Sequence, residues 1–83
     1  MKIYVGVEFS PIRAGIEARS PELKICGHGD TRITALESLK KGVKAWSTGL
    51  TLAGEGELER ALRSKGLTYE VNDSALEIEI EEL

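Results

Sequence analysis

Asp30-Thr31-Arg32-Ile33-Thr34-Ala35-Leu36-Glu37-Ser38-Leu39-Lys40-Lys41-Gly42-Val43-Lys44-Ala45-Trp46 is the stretch on which the fold turns. Ile33, Leu36, Leu39, Val43 and Trp46 recur at intervals of three and four, with Ala35 beside them, so one helical face is apolar. Arg32, Glu37, Lys40, Lys41 and Lys44 fall on the outer faces, and Glu37 precedes Lys41 by four residues in the favourable order. Asp30 and Thr31 offer side-chain oxygens to the unpaired amides of the first turn. Gly42 costs about 1 kcal/mol in a helix interior relative to alanine. It either admits a close neighbour or weakens the helix.

A helix with one apolar stripe needs a surface to cover it, and the flanking sequence reads as strands. Upstream, Ile3, Val5, Val7 and Phe9 alternate with Lys2, Tyr4, Gly6 and Glu8. Ser10-Pro11 is expected to break the run. Ile12, Ala14, Ile16 and Ala18 then alternate with Arg13, Gly15, Glu17 and Arg19, which completes a hairpin with one buried face. Ser20-Pro21-Glu22 reads as a turn, Leu23 to Gly27 as a short third strand, and Gly27-His28-Gly29 as a flexible loop.

Downstream, Ser47 to Gly56 reads as a connector and Glu55 to Lys65 as a second helix. That helix has Leu58, Ala61 and Leu62 as its apolar edge and Gly66 as its stop. Leu67, Tyr69 and Val71 alternate again, Asn72-Asp73 is expected to form a two-residue turn, and Leu76, Ile78 and Ile80 oppose Glu77, Glu79 and Glu81. The order β-β-β-α-α-β-β predicts one α+β domain over residues 1–83. Its two layers are a twisted, mostly antiparallel sheet and the helices packed on one face.

A chain of 83 residues buries a modest core. A homodimer or higher oligomer is a natural way to cover the remaining apolar surface. No run approaches the length of a membrane span, and Gly6 and Glu8 interrupt any apolar leader at the start. One cysteine, Cys26, excludes an internal disulfide, so a cytoplasmic protein with no membrane contact is expected. The net charge of −3 is uneven: residues 1–44 hold eight basic and five acidic groups, residues 45–83 three and nine. The acidic half would attract a basic partner, with Glu70, Asp73, Glu77, Glu79 and Glu81 as the candidate contacts. The alternative is a nucleic-acid interface on the first helix, through Arg32, Lys40, Lys41 and Lys44, although the charge balance makes nucleic acid an unfavoured partner for this domain alone.

No specific catalytic set is visible. Cys26, His28 and Asp30 alternate on one side of an extended segment, but no further Cys/His pair completes a zinc site. Gly27-x-Gly29 lacks the rest of a phosphate loop. No catalytic residue, metal or cofactor is expected.

Ala14-Gly15-Ile16-Glu17-Ala18, Ser20-Pro21-Glu22-Leu23, Cys26, Gly29-Asp30-Thr31 and the helix with Ala35, Leu36 and Leu39 resemble the HicB-like antitoxin family. The likeness covers roughly residues 1–46. It implies a partial RNase H-like fold of three antiparallel strands, a helix and a further strand. It also implies a non-catalytic role: binding and neutralising a small basic HicA-like toxin that cleaves mRNA. Lys24-Ile25 and Thr34 depart from the family pattern, and no DNA-binding segment is recognisable before Leu83. A stand-alone member is therefore expected.

Overall fold

The computed structural model describes residues 1–83. The elements are β1 (Lys2–Ile12), β2 (Gly15–Ser20), β3 (Ile25–Gly29), α1 (Arg32–Ala53), α2 (Glu57–Ser64), β4 (Tyr69–Glu70) and β5 (Glu77–Glu82). They give the expected α+β order, with a curled five-stranded sheet and the helices on one face.

β1 organises the sheet. Its C-terminal half pairs antiparallel with β2, from Glu8↔Arg19 to Ile12↔Gly15. β2 pairs antiparallel with β3, from Ile16↔Gly29 to Ser20↔Ile25. The N-terminal half of β1 carries short β4 antiparallel and β5 parallel, the latter from Lys2↔Glu77 to Val7↔Glu82. The Tyr4 amide donates to the Thr68 carbonyl on the β4 side, whereas the Met1 and Val7 carbonyls accept from Glu77 and Leu83 on the β5 side. β4 and β5 therefore flank β1 on opposite edges. Asn72-Asp73 is not a hairpin turn: the segment after β4 crosses the end of β1, and Asn72 Oδ1 accepts from the Ser74 amide at 3.0 Å. Val71 lies outside the strand, 69% exposed.

Pro11 does not end β1, contrary to expectation. Backbone groups alternate along a strand, so Pro11 turns its missing N–H to the same edge as Val7. β5 pairs with β1 only as far as Val7, so no ladder bond is lost there. The hairpin closes at Arg13-Ala14 instead. Lys24 adopts a left-handed conformation, φ 57°, and closes the β2–β3 turn. Leu23 is thus a buried turn residue, and β3 starts at Ile25.

Gly27-His28-Gly29 is strand, not loop. A Cβ on Gly27 would lie 2.3 Å from the Leu39 nitrogen, and one on Gly29 would lie 2.5 Å from the Ala35 nitrogen. The two glycines let the backbone of α1 rest directly on β3. Gly42 follows the same rule, since its Cβ would meet the Ile25 Cγ2 at 2.9 Å.

Thr31, not Asp30, caps α1. Its hydroxyl accepts from the Thr34 amide at 3.2 Å, while the Thr34 hydroxyl accepts from the Thr31 amide at 3.0 Å. The helix continues through the expected connector to Ala53. Its buried line is Ala35, Leu39, Val43 and Ser47, at intervals of four. Leu36 and Trp46 are half-buried against this core, and Ile33 is 70% exposed. The predicted stripe is therefore rotated. The close approach to β3 brings small Ala35 to the contact and turns Ile33 outward. Ser47 is tolerated inside because its hydroxyl donates to the Val43 carbonyl at 2.9 Å. Ile3, Val5, Val7, Ala18, Leu23, Leu62, Leu67 and Ile78 complete the core.

Candidate functional site

The alternation that sends Ile3, Val5 and Val7 to the helices sends Lys2, Tyr4, Gly6 and Glu8 to the opposite face of the sheet. Strand register carries this across: Glu17 and Arg19 of β2, Cys26 and His28 of β3, Glu70 of β4, and Glu77, Glu79 and Glu81 of β5 share that face. No helix covers it. The Glu22 carboxylate and the Leu83 side chain lie over buried Gly6 on this face, which divides into two halves.

The first half is acidic. Glu77, Glu79 and Glu81 stand opposite Lys2, Tyr4 and Gly6, and Glu70 stands on the other side of Lys2. The Tyr4 hydroxyl donates to Glu70 Oε1 at 2.9 Å. That hydrogen bond, desolvation, and the charges of Glu70, Glu79 and Glu81 together hold the phenol above its ordinary pKa. Lys2 reaches Glu77 only at 4.0 Å, both being partly solvated, so this pair adds little stability. β5 pairs with β1 alone, so its outer edge is free. Four of the five predicted acidic contacts therefore share this half of the face, Glu70, Glu79 and Glu81 around Tyr4 and Glu77 beside Lys2. Asp73 is exposed in the segment between β4 and β5, outside the strand rows.

The second half is mixed. Glu17 lies directly across from His28, and Arg19 directly across from Cys26. His28 Nε2 is 3.1 Å from Glu17 Oε2. The donor atoms of Glu17, Cys26 and His28 all lie within 4.8 Å of one another. Asp30, grouped with Cys26 and His28 from spacing, sits beyond the end of β3 and takes no part. Glu17 occupies the place expected for Asp30. Only the β2–β3 register reveals that partner, and the register depends on where the Lys24 turn closes.

The predicted basic surface is split. Arg32 lies on the sheet-facing side of the first helical turn. It donates to Glu82 Oε1 at 3.0 Å, and its guanidinium carbon stands 4.7 Å from the centre of the Phe9 ring. Lys41 and Lys44 are exposed and Lys40 is half-buried on other faces of α1. None of the three lysines is ion-paired, and Glu37 does not bridge to Lys41. Elsewhere, a shallow depression of about 350 Å³ lies among Ser47, Thr51, Leu52, Leu58 and Leu76, without a charged side chain in it. No helix is long and apolar enough to cross a membrane. No family model, curated protein or solved structure matches this chain.

Proposed function

We propose that the chain is a non-catalytic protein-binding module of the HicB-like antitoxin kind, which meets a small basic protein through the acidic half of its open sheet face. One observation carries this reading: Tyr4 donates to Glu70 Oε1 at 2.9 Å, and strand register sets Glu77, Glu79 and Glu81 of β5 along the other side of β1 on the same face. A field shared by carboxylates on an uncovered face is what steers and orients a cationic surface. Glu77, Glu79 and Glu81 form a row with a spacing of about 6.6 Å along β5, beside a strand edge that is open to pairing. Tyr4 supplies an aromatic anchor at the centre. For a toxin that grips RNA through basic groups, such a row would occupy the surface that the phosphates need. The resemblance in residues 1–46 supports this partner class, and the order of three antiparallel strands, helix and further strand is the order that it implies.

The test is co-expression with a small basic protein encoded in an adjacent reading frame, and the absence of any such frame contradicts the reading. The expected result is a complex that co-purifies, weakens with salt and relieves toxicity. The Glu79→Lys/Glu81→Lys chain should lose all three properties while remaining folded. A neighbour that neither co-purifies nor loses toxicity contradicts the reading. The nucleic-acid alternative is weakened by the engagement of Arg32 with Glu82. It predicts salt-dependent RNA binding that disappears when Lys40, Lys41 and Lys44 are replaced by glutamine.

A further inference from the structure

We propose that Glu17, Cys26 and His28 form a zinc-binding site on the mixed half of the open face. This inference does not rest on the partner reading, since none of its residues belongs to the acidic half. Cys26 and His28 are alternate residues of β3 and share a face, and Glu17 faces His28 across the β2–β3 ladder. One thiol, one imidazole and one carboxylate thus converge from two hydrogen-bonded strands. Their donor atoms lie within 4.8 Å of one another, and the His28 Nε2–Glu17 Oε2 separation is 3.1 Å. Zinc bonds of about 2.0–2.3 Å in tetrahedral array place ligand atoms roughly 3.3–3.8 Å apart. The triangle therefore closes by a side-chain rotation on the order of one ångström, which the exposed Cys26 and His28 can make.

The donor set is selective. Thiolate with imidazole suits zinc, whereas magnesium and calcium require oxygen donors. The backbone beneath the site is closely packed. Gly27, between the two β3 donors, is buried with α1 directly against it, the Leu39 nitrogen and Ala35 oxygen lying 2.3 and 2.6 Å from where a Cβ would stand. Donors carried on a strand packed this closely are preorganised for the ion. Arg19, opposite Cys26, opposes the dication. The uncovered face leaves the fourth coordination position to water. Both features make this an open site of moderate affinity rather than a closed structural one.

The experiment is a titration of the reduced full-length chain with cobalt(II), followed by displacement with zinc(II). The expected result is one cobalt per chain, with a thiolate-to-cobalt charge-transfer band that zinc abolishes. Cys26→Ser should remove the band and weaken zinc binding at least about 100-fold, beyond what loss of an outer-sphere partner costs. Glu17→Gln should keep the band but weaken zinc binding by more than the roughly 10–100-fold that loss of an outer-shell partner costs. Asp30→Asn should leave both unchanged. Far-ultraviolet circular dichroism checks that each variant folds, as expected for substitutions outside the core. The absence of the band in the wild-type chain, or zinc binding to Cys26→Ser as tight as wild type, overturns the proposal.

Discussion

Replacing Gly27 with alanine places a methyl group 2.3 Å from the Leu39 nitrogen, 2.6 Å from the Ala35 oxygen and 2.8 Å from the Ser38 carbonyl carbon. All three are backbone atoms of α1, so no rotamer change relieves the contact. Ordinary contact begins at 3.4 Å, so the helix must lift by about 1 Å, the difference between that limit and the 2.3 Å approach. The residues that lift are those that bury Ala35, Leu39 and Val43. Overpacking of this kind costs about 1–3 kcal/mol, and unyielding neighbours put it at the upper end. The gain from a stiffer strand backbone offsets about 0.5–1 kcal/mol. A net loss of about 2 kcal/mol is expected, which lowers the melting temperature by roughly 8–16 °C in a domain of this size. Thermal and urea unfolding followed by circular dichroism measure it. A Gly27→Ala chain within about 0.5 kcal/mol of wild type, the range of an ordinary surface change, refutes the direct seating of α1 on β3.

Leu39→Ala should lose about 2–5 kcal/mol as a fully buried leucine. Ile33→Ala, at an exposed site, should stay within about 0.5 kcal/mol; urea midpoints separate the two. Gly49 lies in α1 with open space around its Cβ position, so Gly49→Ala should stabilise by about 1 kcal/mol in the same assay. The Tyr4 phenol is held above its ordinary pKa in the folded state, first by its hydrogen bond to Glu70, then by desolvation and the carboxylate charges. Above about pH 10 the unfolded chain therefore binds fewer protons than the folded one, and stability declines as pH rises further, while below that pH the contribution is fully present. In a Tyr69→Phe background, phenolate absorbance should show Tyr4 titrating late, and Glu70→Gln should bring it earlier.

Much of the fold is legible because periodicity is local. The alternation of Ile3, Val5 and Val7 determines the buried face of β1, whereas the spacing in α1 places Leu39 and Val43 correctly but puts Ile33 inside where Ala35 and Ser47 stand. The departures arise from strand pairing and from the seating of α1 on β3, neither of which is local. Pro11 stays in β1 because the edge it faces has no partner at that level, and the last strand runs parallel to β1 because the segment after β4 crosses the Met1 end of β1 and enters the other edge at Lys2. Gly27 and Gly29 look like loop residues in sequence, and only the approach of α1 shows why a strand needs them. The same applies to the face chemistry. The glutamate row of β5 is readable from its alternation, whereas Tyr4 at its centre and Glu17 beside His28 emerge only from register.

The proposed open-face interface is tested most directly by amide chemical-shift mapping of the labelled chain as the proposed small basic partner is added. Shifts should cluster at Lys2 to Gly6, Glu70 and Glu77 to Glu81, leaving Lys40, Lys41 and Lys44 unmoved. Perturbation confined to the outer surface of α1, with the Tyr4 region silent, would contradict it.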